Sequence, residues 1–292
     1  MVSQSPKNIG IVGGGRIAKP DRLLHQLGEG INGSVLKIMK RVRLFVSYDG
    51  TNYCGWQIQS NGITIEEELN KAVSDLCREE IAVIGASRTD SGVHALGNVA
   101  VFDTNSRIPG EKFCFALNQR LPDDIRIQKS DEVSADWHPR YQDTIKTYEY
   151  CFLNRRIPDP TRRLYTYFMY YPMDVEKMQQ AADYLVGEHD FKSFCTPRTQ
   201  VASTVREIYD CSIIKEGDII RMRVRGNGFL YNMVRIIAGT LARVATGLYT
   251  PEHVKEILEA RDRNVAGPKA PPQGLTLIEI EYPQDKKIYF SY

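Results

Sequence analysis

The sequence predicts an α+β protein of two similar α/β subdomains, whose antiparallel sheets join into one extended sheet with helices on one face and a central active-site cleft. Three observations predict it. Apolar residues with a two-residue period, the mark of half-buried strands, begin just after Arg41 and recur towards the chain's end. Amphipathic helical patterns with N-terminal capping residues occur in each half, after Thr64 and after Asp174. Strands and helices follow one another in a similar order in both halves, although no sequence repeat is visible. The expected division is a weakly ordered extension over 1–40, a first subdomain over 41–145 carrying an aspartate loop, and a C-terminal subdomain over 146–292.

The elements follow in order. Val42, Leu44, Val46 and Tyr48 alternate as on a strand. Ile65, Leu69, Ala72, Val73 and Leu76 share one helical face, and Thr64 with Glu67 forms a capping box before them. Short strands are expected at 81–84, 99–102 and 125–128. The second half opens with a strand at 148–153. Val175, Met178, Ala181, Ala182 and Leu185 then mark a helix capped by Asp174. Residues 205–214 and 219–225 read as an antiparallel pair turning at Glu216-Gly217-Asp218. An apolar helix over 230–245, another from Thr250-Pro251, and a last strand over 275–282 complete the chain.

Bulk properties narrow the function classes. The 292 residues suffice for a sizeable core, and a net charge of +2 leaves any nucleic-acid site to local clustering of Lys and Arg. The six cysteines include no C-x-x-C pair, so neither zinc nor a disulfide framework is expected. No run of 18 apolar residues and no signal-peptide core occurs, which predicts a cytoplasmic protein without a membrane partner.

Four segments carry polar residues in patterns that suggest chemistry. Gly85 to Ala95 reads G-A-S-R-T-D-S-G-V-H-A. It places Asp90 among small residues on a loop after a strand, with Arg88 two positions away to pair with it or with a phosphate. The same pattern also suits an ordinary turn with an Asx cap and a surface ion pair. Tyr148 and Tyr150, in K-T-Y-E-Y, share a strand face that could stack an unpaired base or simply fill a sheet. Arg235 stands inside a strongly apolar helix. There it either meets a carboxylate, Asp90 being a candidate, or snorkels to the helix edge. Arg221, Arg223 and Arg225 alternate onto one strand face. With Arg155, Arg156, Arg162 and Arg163 they either bind phosphates or form a solvated surface.

These segments, in this order, resemble the TruA family of tRNA pseudouridine synthases over about residues 41–283. The likeness rests on Y-D-G-T-x-Y-x-G-W-Q at 48–57, R-T-D-x-G-V-H-A at 88–95, G-E-H-D-F-x-S-F at 187–194, the stretch 229–239, and A-P-P-x-G-L at 270–275. Ser87 departs from the glycine of many members and, being small, is expected to matter little. The resemblance implies that Asp90 is the catalytic aspartate and Tyr148 the active-site aromatic. It further implies that Arg88 is the arginine of the same motif, and that Arg235 pairs with the aspartate. It implies a homodimer acting on uridine at positions 38 to 40 of the tRNA anticodon stem-loop, with no cofactor or metal. The chemistry agrees: moving uracil from an N–C to a C–C linkage involves no net redox change.

Two rival readings remain at this point. A non-catalytic RNA-binding protein on the same fold would keep the basic and aromatic residues without needing Asp90. A nucleotide-dependent oxidoreductase is suggested only by Gly13-x-Gly15-x-x-Ala18, where Pro20 and three further glycines spoil the helix such a site needs. The glycine-rich stretch before Met39 has little apolar surface to offset the entropy of ordering, so a chain starting at Met39 is expected to fold, dimerise and modify tRNA like the full chain.

Overall fold

In the computed structural model, residues 39–196 and 201–285 are described. The dinucleotide-like segment at 13–18 and the rest of the expected extension before Met39 lie outside them. The elements in chain order are β1 (Lys40–Tyr48), α1 (Ile65–Cys77), β2 (Ile84–Gly85), β3 (His94–Thr104), α2 (Phe113–Leu117) and β4 (Ile125–Val133). They continue with β5 (Ile145–Asn154), β6 (Tyr167–Met169), α3 (Val175–Asp183), β7 (Gly187–Asp190), β8 (Val205–Glu216), β9 (Ile219–Gly226), α4 (Met233–Ala245), α5 (His253–Ala260) and β10 (Leu275–Glu281).

The ten strands form one sheet in the order β4-β1-β3-β10-β5-β9-β8-β7, with β2 beside β3 and β6 beside β5. The strands of the first half thus lie on one side and those of the second on the other. The last strand, β10, is inserted between them. It runs antiparallel to β5, with Leu277 opposite Tyr148, and parallel to β3, with Leu277 opposite Ala95. One strand therefore sets the end of the aspartate loop beside Tyr148. The expected antiparallel pairing holds in each half except where short β6 runs parallel to β5, and a second parallel pairing, of β10 with β3, makes the join.

Local chemistry explains the elements. Thr64 caps α1, its hydroxyl accepting from the Glu67 N–H at 3.3 Å, and Asp174 caps α3 in the same way. Gly217, with φ +60°, makes the two-residue turn between β8 and β9. Where the structure differs from the sequence pattern, a competing hydrogen bond is usually responsible. Ile81–Val83 reads as a strand but pairs with α1 instead: Ile81 N donates to Ser74 Oγ at 3.0 Å and Val83 N to Asn70 Oδ1 at 2.8 Å. The helix expected from 230 begins at Met233, because Asn232 adopts a left-handed φ of 62°. α2, β6 and β7 span five, three and four residues, too few for a period to show. Among the described residues no helix is long and apolar enough to cross a membrane.

Every residue of α4 except Arg243 is buried. Its close neighbour is the strand-like segment before β10. The Ala270 N–H donates to the Arg235 carbonyl at 3.0 Å and the Gly267 N–H to Thr240 Oγ1 at 3.0 Å. Gly239 permits this approach, since a Cβ there would stand 1.8 Å from the Pro268 carbonyl oxygen. Gly239→Ala is therefore expected to push that segment off α4 and lower stability by about 2–3 kcal/mol, the cost of overpacking. Urea denaturation checks this, and an unchanged midpoint would contradict the packing described.

Candidate active site

The shape of the Asp90 loop is imposed by the segment that precedes α1. The Trp56 N–H donates to the Thr89 carbonyl at 3.0 Å, and the Gly92 N–H donates to the Tyr53 carbonyl at 3.3 Å. Ser91 Oγ donates to that same Tyr53 carbonyl at 3.1 Å. A Cβ on Gly50 would lie 2.0 Å from the Val93 carbonyl oxygen, and one on Gly55, whose φ is +89°, 2.6 Å from that of Thr89. The motif at 48–57 is thus the mould in which the motif at 88–95 is cast. The two stretches can touch because the first carries glycine at 50 and 55.

Arg235 Nη1 donates to Asp90 Oδ2 at 3.1 Å. The two side chains are 9% and 18% exposed, so this is a mostly desolvated ion pair rather than a surface contact. The guanidinium also donates from Nε to the Ala270 carbonyl at 2.8 Å and from Nη1 to Asn232 Oδ1 at 3.3 Å. Of the two readings open for Arg235, the carboxylate partner is the one found.

Tyr148 stands across the cleft from this pair. Its hydroxyl lies 2.9 Å from Ser87 Oγ, and its ring meets Phe229 edge-on at 5.2 Å. Burial pushes its phenol up to about 12; the Ser87 hydrogen bond opposes that shift and the Asp90 charge adds to it. Tyr150, by contrast, is fully buried and donates to the Pro271 carbonyl at 2.7 Å. The pair of tyrosines therefore divides, one at the site and one in the core.

The two walls enclose a cleft of about 820 Å³, lined by Asp90, Tyr148, Arg88, Arg140, Lys146 and Arg235 among others. Arg88 is exposed and makes no hydrogen bond or ion pair among the described residues. Arg140 donates from Nε to the Gly85 carbonyl at 2.7 Å. Burial, and then the nearby Arg88, hold its basicity below the usual value. Among the described residues Lys146 hydrogen-bonds only the Ala86 carbonyl, at 3.4 Å. Burial, reinforced by Arg140 and Arg206, pushes it down to about 8. On β9 the charge is neutralised. Arg223 meets Glu149 at 2.9 Å, Arg225 meets Glu281 at 3.0 Å, and Arg221 is paired with Glu216. The arginine face of β9 is a set of cross-strand ion pairs, not a free basic surface. Among the described residues, no group of three or more His, Cys, Asp or Glu side chains is placed to hold a metal ion.

The tRNA pseudouridine synthase family matches residues 44–142 and 181–283. A tRNA pseudouridine synthase A from Thermoanaerobacter sp. (strain X514) is 49% identical over 84% of this chain and all of its own length. Proteins of the same name from Brevibacillus brevis and Acetivibrio thermocellus are 48% and 46% identical over the same shares. The chain belongs to the tRNA pseudouridine synthase family. In this family member Asp90 falls in the first matched block and Arg235 in the second. Tyr148 lies between the blocks, so its place in the cleft rests on the geometry alone.

Sequence reasoning overlooked several residues that this family member uses to shape the site. Fully buried Asn98 holds Ser87 by both backbone groups and donates to the Tyr48 hydroxyl at 3.2 Å. Tyr48 in turn bonds Thr89 Oγ1 at 2.8 Å. An asparagine in the otherwise apolar run 95–102 was the available signal. Arg140 offered none, since its segment has no period. Arg235→Ala would leave the Asp90 carboxylate partly buried and unpaired, an effect expected to cost about 3 kcal/mol. Lysine lacks the fork that serves Ala270 and Asp90 together, so Arg235→Lys should recover only part of this. Equilibrium denaturation of both variants tests it, and parental stability in Arg235→Ala would contradict the pairing.

Proposed function

We propose that this protein isomerises uridine to pseudouridine in the tRNA anticodon stem-loop, at position 38, 39 or 40 or at several of these. Asp90 is the nucleophilic carboxylate, Tyr148 contacts the uracil or moves its proton, and Arg88 and Arg235 orient the reacting groups. The observation that carries this reading is the charge pattern of the cleft. Among the described residues lining it, Asp90 is the only carboxylate, and Arg88, Arg140, Lys146 and Arg235 line the same cleft.

The pattern suits a polyanion that must meet one reactive acid. Cations without carboxylate partners attract phosphates and release their counterions. A carboxylate at the same place repels phosphates, so a protein that only bound RNA would gain from losing it. That argues against the non-catalytic alternative. Reaching the base requires flipping it from the stem or loop at a cost of a few kcal/mol, which stacking on an aromatic and phosphate contacts offset. As a carboxylate, Asp90 attacks the sugar carbon or C6 of uracil, and Arg235, bonded to it at 3.1 Å, holds it in place. The isomerisation breaks one bond at the sugar carbon and forms another with no change of oxidation state, so it calls for no redox cofactor. The active form is a homodimer whose two subunits hold one tRNA, as the family resemblance implies.

Two outcomes are expected. Asp90→Asn should abolish turnover while leaving tRNA affinity within about tenfold, roughly 1.4 kcal/mol, because affinity comes mainly from phosphate contacts. Pseudouridine formation by the purified variant would refute the role of Asp90. The second concerns pH. Lys146 is charged below about 8 and loses its proton above it, and a bound phosphate favours the charged form. Affinity for tRNA should therefore weaken as pH rises through about 8, and Lys146→Met should remove that component. Filter-binding titrations across pH decide it; identical pH profiles for the parent and Lys146→Met would exclude Lys146 from the RNA site.

A further inference from the structure

Two hydroxyls meet at the wall of the cleft with no other side-chain partner among the described residues. Ser87 Oγ and the Tyr148 oxygen lie 2.9 Å apart, both residues are under 9% exposed, and both line the cleft. Ser87 is held still: its N–H donates to Asn98 Oδ1 at 3.3 Å and its carbonyl accepts from Asn98 Nδ2 at 3.0 Å. Asn98 is fully buried and is itself fixed through Tyr48 to Thr89. The Ser87 hydroxyl is thus mounted on a rigid base three residues before Asp90. Tyr148 is fixed by β5 and by the edge-on Phe229.

Such a pair holds two protons and needs only one for the bond between its members. The second proton is available to the cleft, from whichever oxygen does not spend its own. In one arrangement Tyr148 donates to Ser87, and Ser87 O–H turns outward. The phenolic oxygen then offers a lone pair to the cleft while its own proton is already directed at an acceptor.

We infer that Ser87 is a positioning residue that lets Tyr148 accept the C5 proton of the uracil, by taking the phenolic proton as the new one arrives. The inference rests on the isomerase reading above and deepens it at the same site. The step balances. The C5–H bond breaks and its electron pair becomes the C5=C6 double bond, while the C6=N1 pair moves to N1, which takes a proton from water; on the route in which Asp90 has added at C6, the C6–O bond breaks instead and its pair returns to the carboxylate. The C5 proton bonds to the Tyr148 oxygen, the Tyr148 proton passes to Ser87 Oγ, and the Ser87 proton leaves to solvent water. Tyr148 is neutral at the start and at the end. A phenol pushed up to about 12 is a poor place to accumulate negative charge, and its anion is too scarce at neutral pH to serve as the base. A concerted transfer through a second hydroxyl avoids the phenolate altogether. Without the serine hydroxyl, the phenolic proton has no acceptor among the side chains within hydrogen-bond reach.

The test is single-turnover conversion of a tRNA anticodon stem-loop carrying either C5–H or C5–D uridine, by the intact protein and by Ser87→Ala. The substitution removes one oxygen and adds nothing, and a thermal melt confirms the fold. Ser87→Ala is expected to slow conversion by at least about tenfold, the low side of what a positioned proton acceptor contributes. Deuterium at C5 should then slow it clearly further, because C5 proton loss has become limiting. A rate within about twofold of the intact protein, equivalent to under half a kcal/mol, overturns the inference. So does a slowed variant with no C5 deuterium effect, which would mean that Ser87 only shapes the loop. If the intact protein forms no pseudouridine, the isomerase reading itself fails, an outcome distinct from either.

Discussion

The contact between Asp90 and Arg235 is the constraint around which the rest is organised. An arginine in the first turn of a buried helix is tolerable only with a carboxylate in reach, and a carboxylate in a desolvated cleft only with a cation in reach. One comes from the second half of the chain and the other from the first. Their meeting requires β10 to be threaded between β3 and β5, and α4 to lie hard against the segment that leads into β10. Gly239, Gly50 and Gly55 are the places where backbones come close enough to allow it. The pair is thus both a tie between halves and the reason the acid stands where it does.

Around this pair the cleft is left electrically unbalanced. Most basic side chains on the sheet have found acids, as the arginines of β9 show with Glu149, Glu216 and Glu281. Among the described residues Arg88, Arg140 and Lys146 have no carboxylate partner, and burial lowers the basicity of the last two. Holding cations together without counterions is unfavourable in the free protein and becomes favourable when a phosphate chain arrives. The near-neutral total charge conceals this, because what matters for recognition is where the excess sits rather than its sum.

Much of this could be read in the sequence. The long strands and the capped helices followed from period and capping chemistry, and Asp90, Tyr148 and Arg235 stood out as polar or aromatic residues in telling places. Arg88 was legible as the arginine beside the acid, although it pairs with nothing in the described structure. What escaped has physical reasons. Short elements such as α2 and β6 do not last long enough to show a period. The stretch 81–83 has strand composition but gives its hydrogen bonds to side chains of α1. Asn98 and Ser87 matter through tertiary contacts that no local pattern records. Ser87 in particular was expected to be a passive small residue, yet its hydroxyl meets that of Tyr148. The alternation that put Tyr148 and Tyr150 on one face was sound, but only Tyr148 borders the cleft.

The most direct test of the whole account is to incubate the purified protein with unmodified tRNA and map pseudouridine at single-nucleotide resolution. The account predicts conversion within the anticodon stem-loop, at one or more of positions 38, 39 and 40, with no added cofactor. Tight binding of the tRNA with no pseudouridine at any position would contradict it, and would leave a protein that holds RNA without acting on it.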